Sequence, residues 1–336
     1  MSETAPQATG RARWRGINLH VLGPLLALLL LIALGAWLNA NFLSYGNVTN
    51  VLARSAFIGL IAVGMTFVIT AGGLDLSVGS MAAFLAGIAI IAMNAALPGL
   101  GSNWGTILLG MGVAVLGGIA AGYLNGALVT KARIEPFIVT LGTMGIFRSL
   151  VTWLADGGTL SLDYGLRTLY RPVYYGGIGW ITWPIIVFAI VAVLGEWTMR
   201  HSRFGRHVEA IGSNDRVARY SAIDVNRMRL LTYVLLGVLG GLAVVLYVPR
   251  LGSASGSTGV LWELEAIAAV IIGGTALKGG RGRVWGTVVG VLILSLIDNI
   301  LNLADLVSPY LNGAIQGVII VLAVVLQREK RTAEER

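Results

Sequence analysis

The sequence has 336 residues, 56% of them hydrophobic and only 12% charged, with a mean hydropathy of +0.80, a formal net charge of +8 and no cysteine. A soluble domain carries roughly 25% charged residues, so no soluble core could hide this much apolar surface. The missing cysteines exclude disulfides, thiolate metal sites and cysteine nucleophiles.

An apolar run of about 20 residues crosses the hydrocarbon layer as a helix. Such runs recur along the chain between polar or Gly/Pro breaks, and ten spans are predicted near 21–40, 51–71, 77–97, 104–129, 135–155, 180–199, 230–248, 260–275, 284–302 and 309–327. Stretches such as Val187 to Leu194 and Val318 to Leu326 are continuously apolar, whereas the strands of an outer-membrane barrel alternate apolar and polar. The expected fold class is therefore an all-α polytopic membrane protein. The first run, from Val21 to Leu38, follows a polar, basic stretch and is too long for a signal-peptide core, so it is read as a genuine span. The predicted organisation is a tail over 1–20, a transmembrane domain over 21–327 and a tail over 328–336.

An even span count puts both termini on one side, and the basic residues say which. Lys and Arg are retained in the cytoplasm during insertion. With the N-terminus inside, nineteen of the 24 Lys and Arg fall on inner segments, including Arg200, Arg203, Arg206, Arg216, Arg219, Arg227 and Arg229 in one loop. Arg54, Arg167, Arg171 and Arg250 fall at outer ends, and Arg148 lies within a span. The positive charge is thus an insertion signal and not the footprint of a nucleic-acid-binding protein.

Two connections exceed a tight turn: an outer one over 156–179, rich in Gly and Tyr, and an inner one over 200–229, dense in charge and long enough for one or two short amphipathic helices. Gly72, Gly73, Leu76 and Gly79 recur 201 positions later as Gly273, Gly274, Leu277 and Gly280, a weak internal echo. Glycines four apart (Gly118, Gly122 and Gly126; Gly237 and Gly241; Gly286 and Gly290; Gly313 and Gly317) predict close helix contacts, since lipid supplies no hydrophobic drive between helices.

Acidic and polar residues near spans are the chemical candidates. In TAGGLDLSVGS, Asp75 and Ser77 either cap the following helix or belong to a broken segment lining a transport path. Asp298 and Asn302, four apart, are placed on one face near the outer end of the ninth span. Glu263 and Glu265 head the eighth span, where the helix dipole favours negative charge; Glu135 and Glu196 sit among basic residues. His20, His201 and His207 lack metal-ligand spacing. In GGTALKGG, Lys278 is followed by Gly279, so no phosphate-cradling loop is present. No catalytic constellation is evident, and neither a metal nor a cofactor is assigned.

Three segments together, IAVGMTFVITAGGLDLSVGS (61–80), GRHVEAIGSNDRVARYSAIDVNRMR (205–229) and WELEAIAAVIIGGTALKGGRGRVWGTVVG (262–290), resemble the permease subunits of ribose-, xylose- and galactose-type ABC sugar importers, close kin of the branched-chain amino-acid permeases. The likeness extends from about residue 40 onward. It implies a type II bundle, like that of vitamin B12 importers, which dimerises with a second permease subunit, binds ATPase subunits that hold ATP and Mg, and receives solute from a periplasmic binding protein. It also implies a coupling helix at Gly212, Ser213, Asn214, Asp215, Arg216, Val217, Ala218 and Arg219. Relatives usually carry Gly where Ala222 stands, a Leu-like residue at Tyr220 and Ser at Ala276. A branched-chain amino-acid permease and an ion-coupled carrier remain the alternatives.

Overall fold

In the computed structural model, residues 19–303 are described, together with isolated positions between 311 and 321; most of the tenth predicted span, the tail over 328–336 and all but the last two residues of the tail over 1–20 lie outside the described residues. The long helices are α1 (Leu19–Leu38), α2 (Tyr45–Thr70), α3 (Val78–Leu100), α4 (Trp104–Thr130) and α5 (Pro136–Leu154). The outer connection folds as β1 (Thr159–Ser161), α6 (Tyr164–Tyr170), α7 (Pro172–Tyr175), β2 (Gly177–Ile178) and β3 (Ile181–Thr182). Then come α8 (Trp183–His201), α9 (Arg203–Ser213), α10 (Asp215–Tyr220), α11 (Val225–Leu251), β4 (Ser253–Ser255), α12 (Trp262–Ile272) and α13 (Val284–Leu303). Among the described residues, seven helices are long and apolar enough to cross a membrane: α2, α3, α4, α5, α8, α11 and α13. The chain is a multi-pass, mostly helical membrane protein.

Local signals set the helix ends. Ser44 accepts a hydrogen bond from the Asn47 amide and Asn103 one from the Thr106 amide, while Pro136 and Pro184 occupy first-turn positions whose missing N–H is harmless. Gly252, with φ 68°, ends α11 in the left-handed conformation. β1 pairs antiparallel with β4 in the register Thr159↔Ser255, which ties the outer connection to the end of α11.

The core is a glycine seam. α4 and α11 form the most extensive helix pair. A Cβ on Gly118 would overlap the Gly237 carbonyl, one on Gly122 the Tyr233 carbonyl, and one on Gly126 would come 3.1 Å from the Leu230 carbonyl oxygen. Gly286 and Gly290 on α13 stand in the same relation to Gly273 and Ala269 at the end of α12. Three of the four predicted glycine groups therefore sit at close helix contacts; Gly313 of the fourth lies outside the described residues.

The eighth predicted span departs from expectation. Its helix, α12, has only 11 residues, about 16 Å of rise against about 30 Å of hydrocarbon. The chain before it, through Thr258 and Gly259, is irregular and is held by Arg148 of α5, which donates to the carbonyls of Gly256 (2.7 Å) and Thr258. Arg148 thus serves as a clamp that satisfies non-helical backbone among the spans, the condition under which such backbone is tolerated in a membrane. The second break, over 71–77 between α2 and α3, is largely buried inside the bundle, with Gly72 exposed. A Cβ on Gly79, at the start of α3, would overlap the Gly259 carbonyl, so the two interrupted regions meet.

Candidate functional site

The charged 200–229 loop folds as α9 and α10, and each helix starts on its own cap. The Ser202 hydroxyl accepts from the Gly205 amide at 3.0 Å, and the Asn214 side chain accepts from the Arg216 and Val217 amides, both at 3.1 Å. Asn214 therefore ends one helix and begins the next, setting a sharp corner. One face of this unit is apolar and buried: Ile211, Ala218 and Val225 cluster with Ile223 and Met228. The other face is bare. Val217 is 57% and Tyr220 90% exposed, an apolar pair three residues apart amid arginines.

The tip of α9 is wedged between two breaks, the one that follows α2 over 71–77 and the connection between α12 and α13 over 273–283. Gly212 has no room for a side chain: a Cβ there would overlap the Thr70 carbonyl oxygen and lie 2.5 Å from the Gly280 amide nitrogen. Those two groups are bonded to each other, Gly280 N–H donating to the Thr70 carbonyl at 2.9 Å. Around this contact, the Ser213 hydroxyl donates to the Gly280 carbonyl at 3.4 Å, and the Glu209 carboxylate accepts from the Gly282 amide at 3.5 Å. Arg229 reaches the Ala71 carbonyl at 3.5 Å and the Asp215 carboxylate at 3.6 Å. The two breaks also touch directly: a Cβ on Gly279 would be 3.0 Å from the Gly72 nitrogen. The 200–229 loop thus packs its Gly212 backbone against both breaks, and the Ser213, Glu209 and Arg229 side chains bond to them.

Asp75 and Ser77 lie one step deeper. Asp75 is 2% exposed, and its Oδ1 accepts from the Ser77 amide and hydroxyl, both at 2.7 Å. Asn125 of α4, fully buried, closes the set by donating to Asp75 Oδ2 at 3.1 Å and to the Ser77 hydroxyl at 2.8 Å. Tyr233 of α11 donates to the Leu74 carbonyl at 3.0 Å. The carboxylate that meets the amide before α3 is therefore that of Asp75, and the Ser77 hydroxyl makes no capping bond. Asp298 and Asn302 are elsewhere, in the last turns of α13 near the start of α2, where Asn299 and Asn47 exchange hydrogen bonds at 2.7 and 3.0 Å and Asn302 donates to the Asp298 carbonyl at 2.7 Å. The four residues read from the sequence as path candidates fall into two separate places.

Three residues were not singled out from the sequence. Asn125 sits in the Gly122/Gly126 stripe, and its signal is a lone amide within an apolar span. Thr66 and Thr287, whose hydroxyls are 2.7 Å apart, bridge α2 and α13. Glu196 pairs with Arg200 and accepts from the Trp285 amide at 3.1 Å, capping α13.

Residues 47–324 match the protein family described as branched-chain amino acid transport system / permease component. The chain belongs to this family. It is 40% identical to the ribose import permease of Bacillus subtilis over 92% of this chain and 93% of the relative. It is 36% identical to the ribose import permease of Escherichia coli K12 over 98% and 100%, and 35% identical to the D-allose transport system permease of the same strain over 85% of each. Along nearly its whole length the chain is therefore similar to proteins named for sugar transport.

Proposed function

We propose that this permease is the transmembrane subunit of an ABC importer that moves a monosaccharide or sugar-like solute from a periplasmic binding protein into the cytoplasm. ATP and Mg are held by partner ATPase subunits, and a second permease subunit completes a type II assembly of about ten helices per chain in the inner membrane. The basic face, with both termini, is the cytoplasmic one. The permease domain spans 21–327, between tails over 1–20 and 328–336.

The observation that carries this reading is the wedged position of Gly212. A chain without its own energy source must receive work through a rigid element that meets both the partner and the moving spans. The α9–α10 corner meets this need: Gly212 and Ser213 touch the two breaks, while Asn214, Asp215, Arg216, Val217, Ala218 and Arg219 form the docking turn, with Val217 and Tyr220 bare toward the partner. Asp75 and Ser77 hold the inner break that borders the path, and Asp298 and Asn302 stand at its outer end. A branched-chain amino acid is the second reading, favoured by the family's description, whereas ribose and allose name the relatives quoted above.

The test is reconstitution with the ATPase and binding protein in vesicles. Val217→Asp with Tyr220→Asp is expected to abolish ATP-driven uptake while leaving the thermal midpoint of the purified chain unchanged, because neither side chain is packed. Unchanged uptake, or uphill transport by the chain alone, refutes the coupling role; uptake of leucine but not of ribose favours the second reading.

A further inference from the structure

A cavity of about 460 Å³ opens at the basic face between the α4–α5 connection, α10 and α11, within the size range of small-ligand sites. Its polar wall is Thr130, Arg133, Glu135, Arg219, Asn226 and Arg229. Three guanidinium groups thus face one carboxylate. Arg219 and Arg229 also share Asp215, at 3.4 and 3.6 Å, well beyond the 2.7–2.9 Å of a tight charge-assisted bond. Arg229 Nε is buried with no acceptor, and Arg133 has no ion-pair partner among the described residues. A buried donor without an acceptor is costly, and Arg133 is held at φ 58°, a left-handed conformation unfavourable for a side-chain-bearing residue.

Pro136 of α5 lines the cavity, and the next two residues along that helix are apolar and bare: Phe137 is 52% and Ile138 62% exposed. Charge at the membrane surface with an uncovered apolar helix face directly above it is the profile of a molecule that is anionic at one end and hydrocarbon at the other. We propose that this cavity binds the phosphate headgroup of an anionic phospholipid, with the guanidinium groups of Arg133, Arg219 and Arg229 on the phosphate, Thr130 and Asn226 beside it, and the acyl chains along Phe137 and Ile138 of α5. The bound phosphate replaces Asp215 as the closer partner of Arg219 and Arg229, so the lipid acts on the same two arginines that brace the α9–α10 corner.

The experiment is native mass spectrometry of the full chain, titrated with phosphatidylglycerol, phosphatidylcholine or inorganic phosphate. The wild-type chain is expected to retain one phosphatidylglycerol selectively over phosphatidylcholine. Each arginine near an anionic headgroup is worth about fivefold in affinity, so Arg133→Gln with Arg219→Gln is expected to weaken retention about 25-fold. Glu135→Gln removes the opposing carboxylate and is expected to tighten it, an opposite effect that misfolding cannot produce. Equal retention of both lipids, or equal phosphatidylglycerol retention by all variants, overturns the site. Displacement of the lipid by millimolar inorganic phosphate reassigns the cavity to a free anion and overturns the lipid source. Loss of the lipid on adding the ATPase assigns the cavity to an acidic partner side chain and likewise overturns it.

Discussion

Gly212→Ala is the most direct probe of the joint between the inner loop and the two helix breaks. The added methyl would stand 2.5 Å from the Gly280 nitrogen and still closer to the Thr70 oxygen, where real Cβ contacts essentially never fall below 3.0 Å. Both neighbours are backbone, so no side-chain rotation relieves the overlap; α9 or one of the breaks must retreat by at least half an ångström against Gly280 and by more against Thr70. Overpacking of this kind costs about 1–3 kcal/mol, and parting the Gly280 to Thr70 hydrogen bond adds about 1 kcal/mol. The sum, about 2–4 kcal/mol, exceeds the 1.4 kcal/mol that corresponds to a tenfold change. The expected outcome is a lowered thermal midpoint in detergent and at least a tenfold loss of ATP-driven uptake in vesicles, with ATPase binding retained because Val217 and Tyr220 are untouched. Gly112→Ala on α4, where a Cβ would meet nothing within 4 Å, serves as the control and is expected to leave the midpoint no lower, since alanine suits a helix interior better than glycine. If Gly212→Ala matches the wild type in midpoint and uptake, the wedge is not the transmission point.

Two further substitutions test other parts of the argument. Asn125→Leu deletes both bonds to Asp75 and Ser77 and leaves a buried carboxyl short of a donor; a loss of about 3 kcal/mol is expected, read as a lower midpoint, and an unchanged midpoint refutes the role of Asn125 in holding the break. Ala222→Gly is expected to stabilise by about 1 kcal/mol, because Ala222 adopts φ 58° in the turn where Ile223 N–H donates to the Ala218 carbonyl, a position that suits glycine; a lower midpoint contradicts it.

The long spans were legible because hydrocarbon thickness fixes the length of an apolar helix, and most of the glycine contacts were legible because only small residues allow backbones to touch. The short α12 was not. Its run AIAAVII reads the same in a full span and in a half span, and the difference lies in Arg148, which replaces the missing helical hydrogen bonds of Gly256 and Thr258 from 108 and 110 residues away. The position of Asp75 beside a helix start was legible, but its closure by Asn125 on another helix was not, since nothing local connects residues 50 apart. Asp298 and Asp75 were grouped by residue type, and their separation needed the fold. The left-handed backbone at Ala222 was likewise not legible, since alanine gives no local signal for a positive φ.

The seam between α4 and α11 has a mechanical consequence. Where carbonyl oxygens of one helix rest in the glycine notches of the other over successive turns, sliding would have to lift each oxygen over a ridge, so the pair behaves as a single stiff beam. A cycle that opens the molecule first to one side and then to the other must flex along a looser line, and α5 offers one: a Cβ on Gly142 or Gly145 would meet nothing within 4 Å, and its anchorage to the irregular loop rests largely on one arginine.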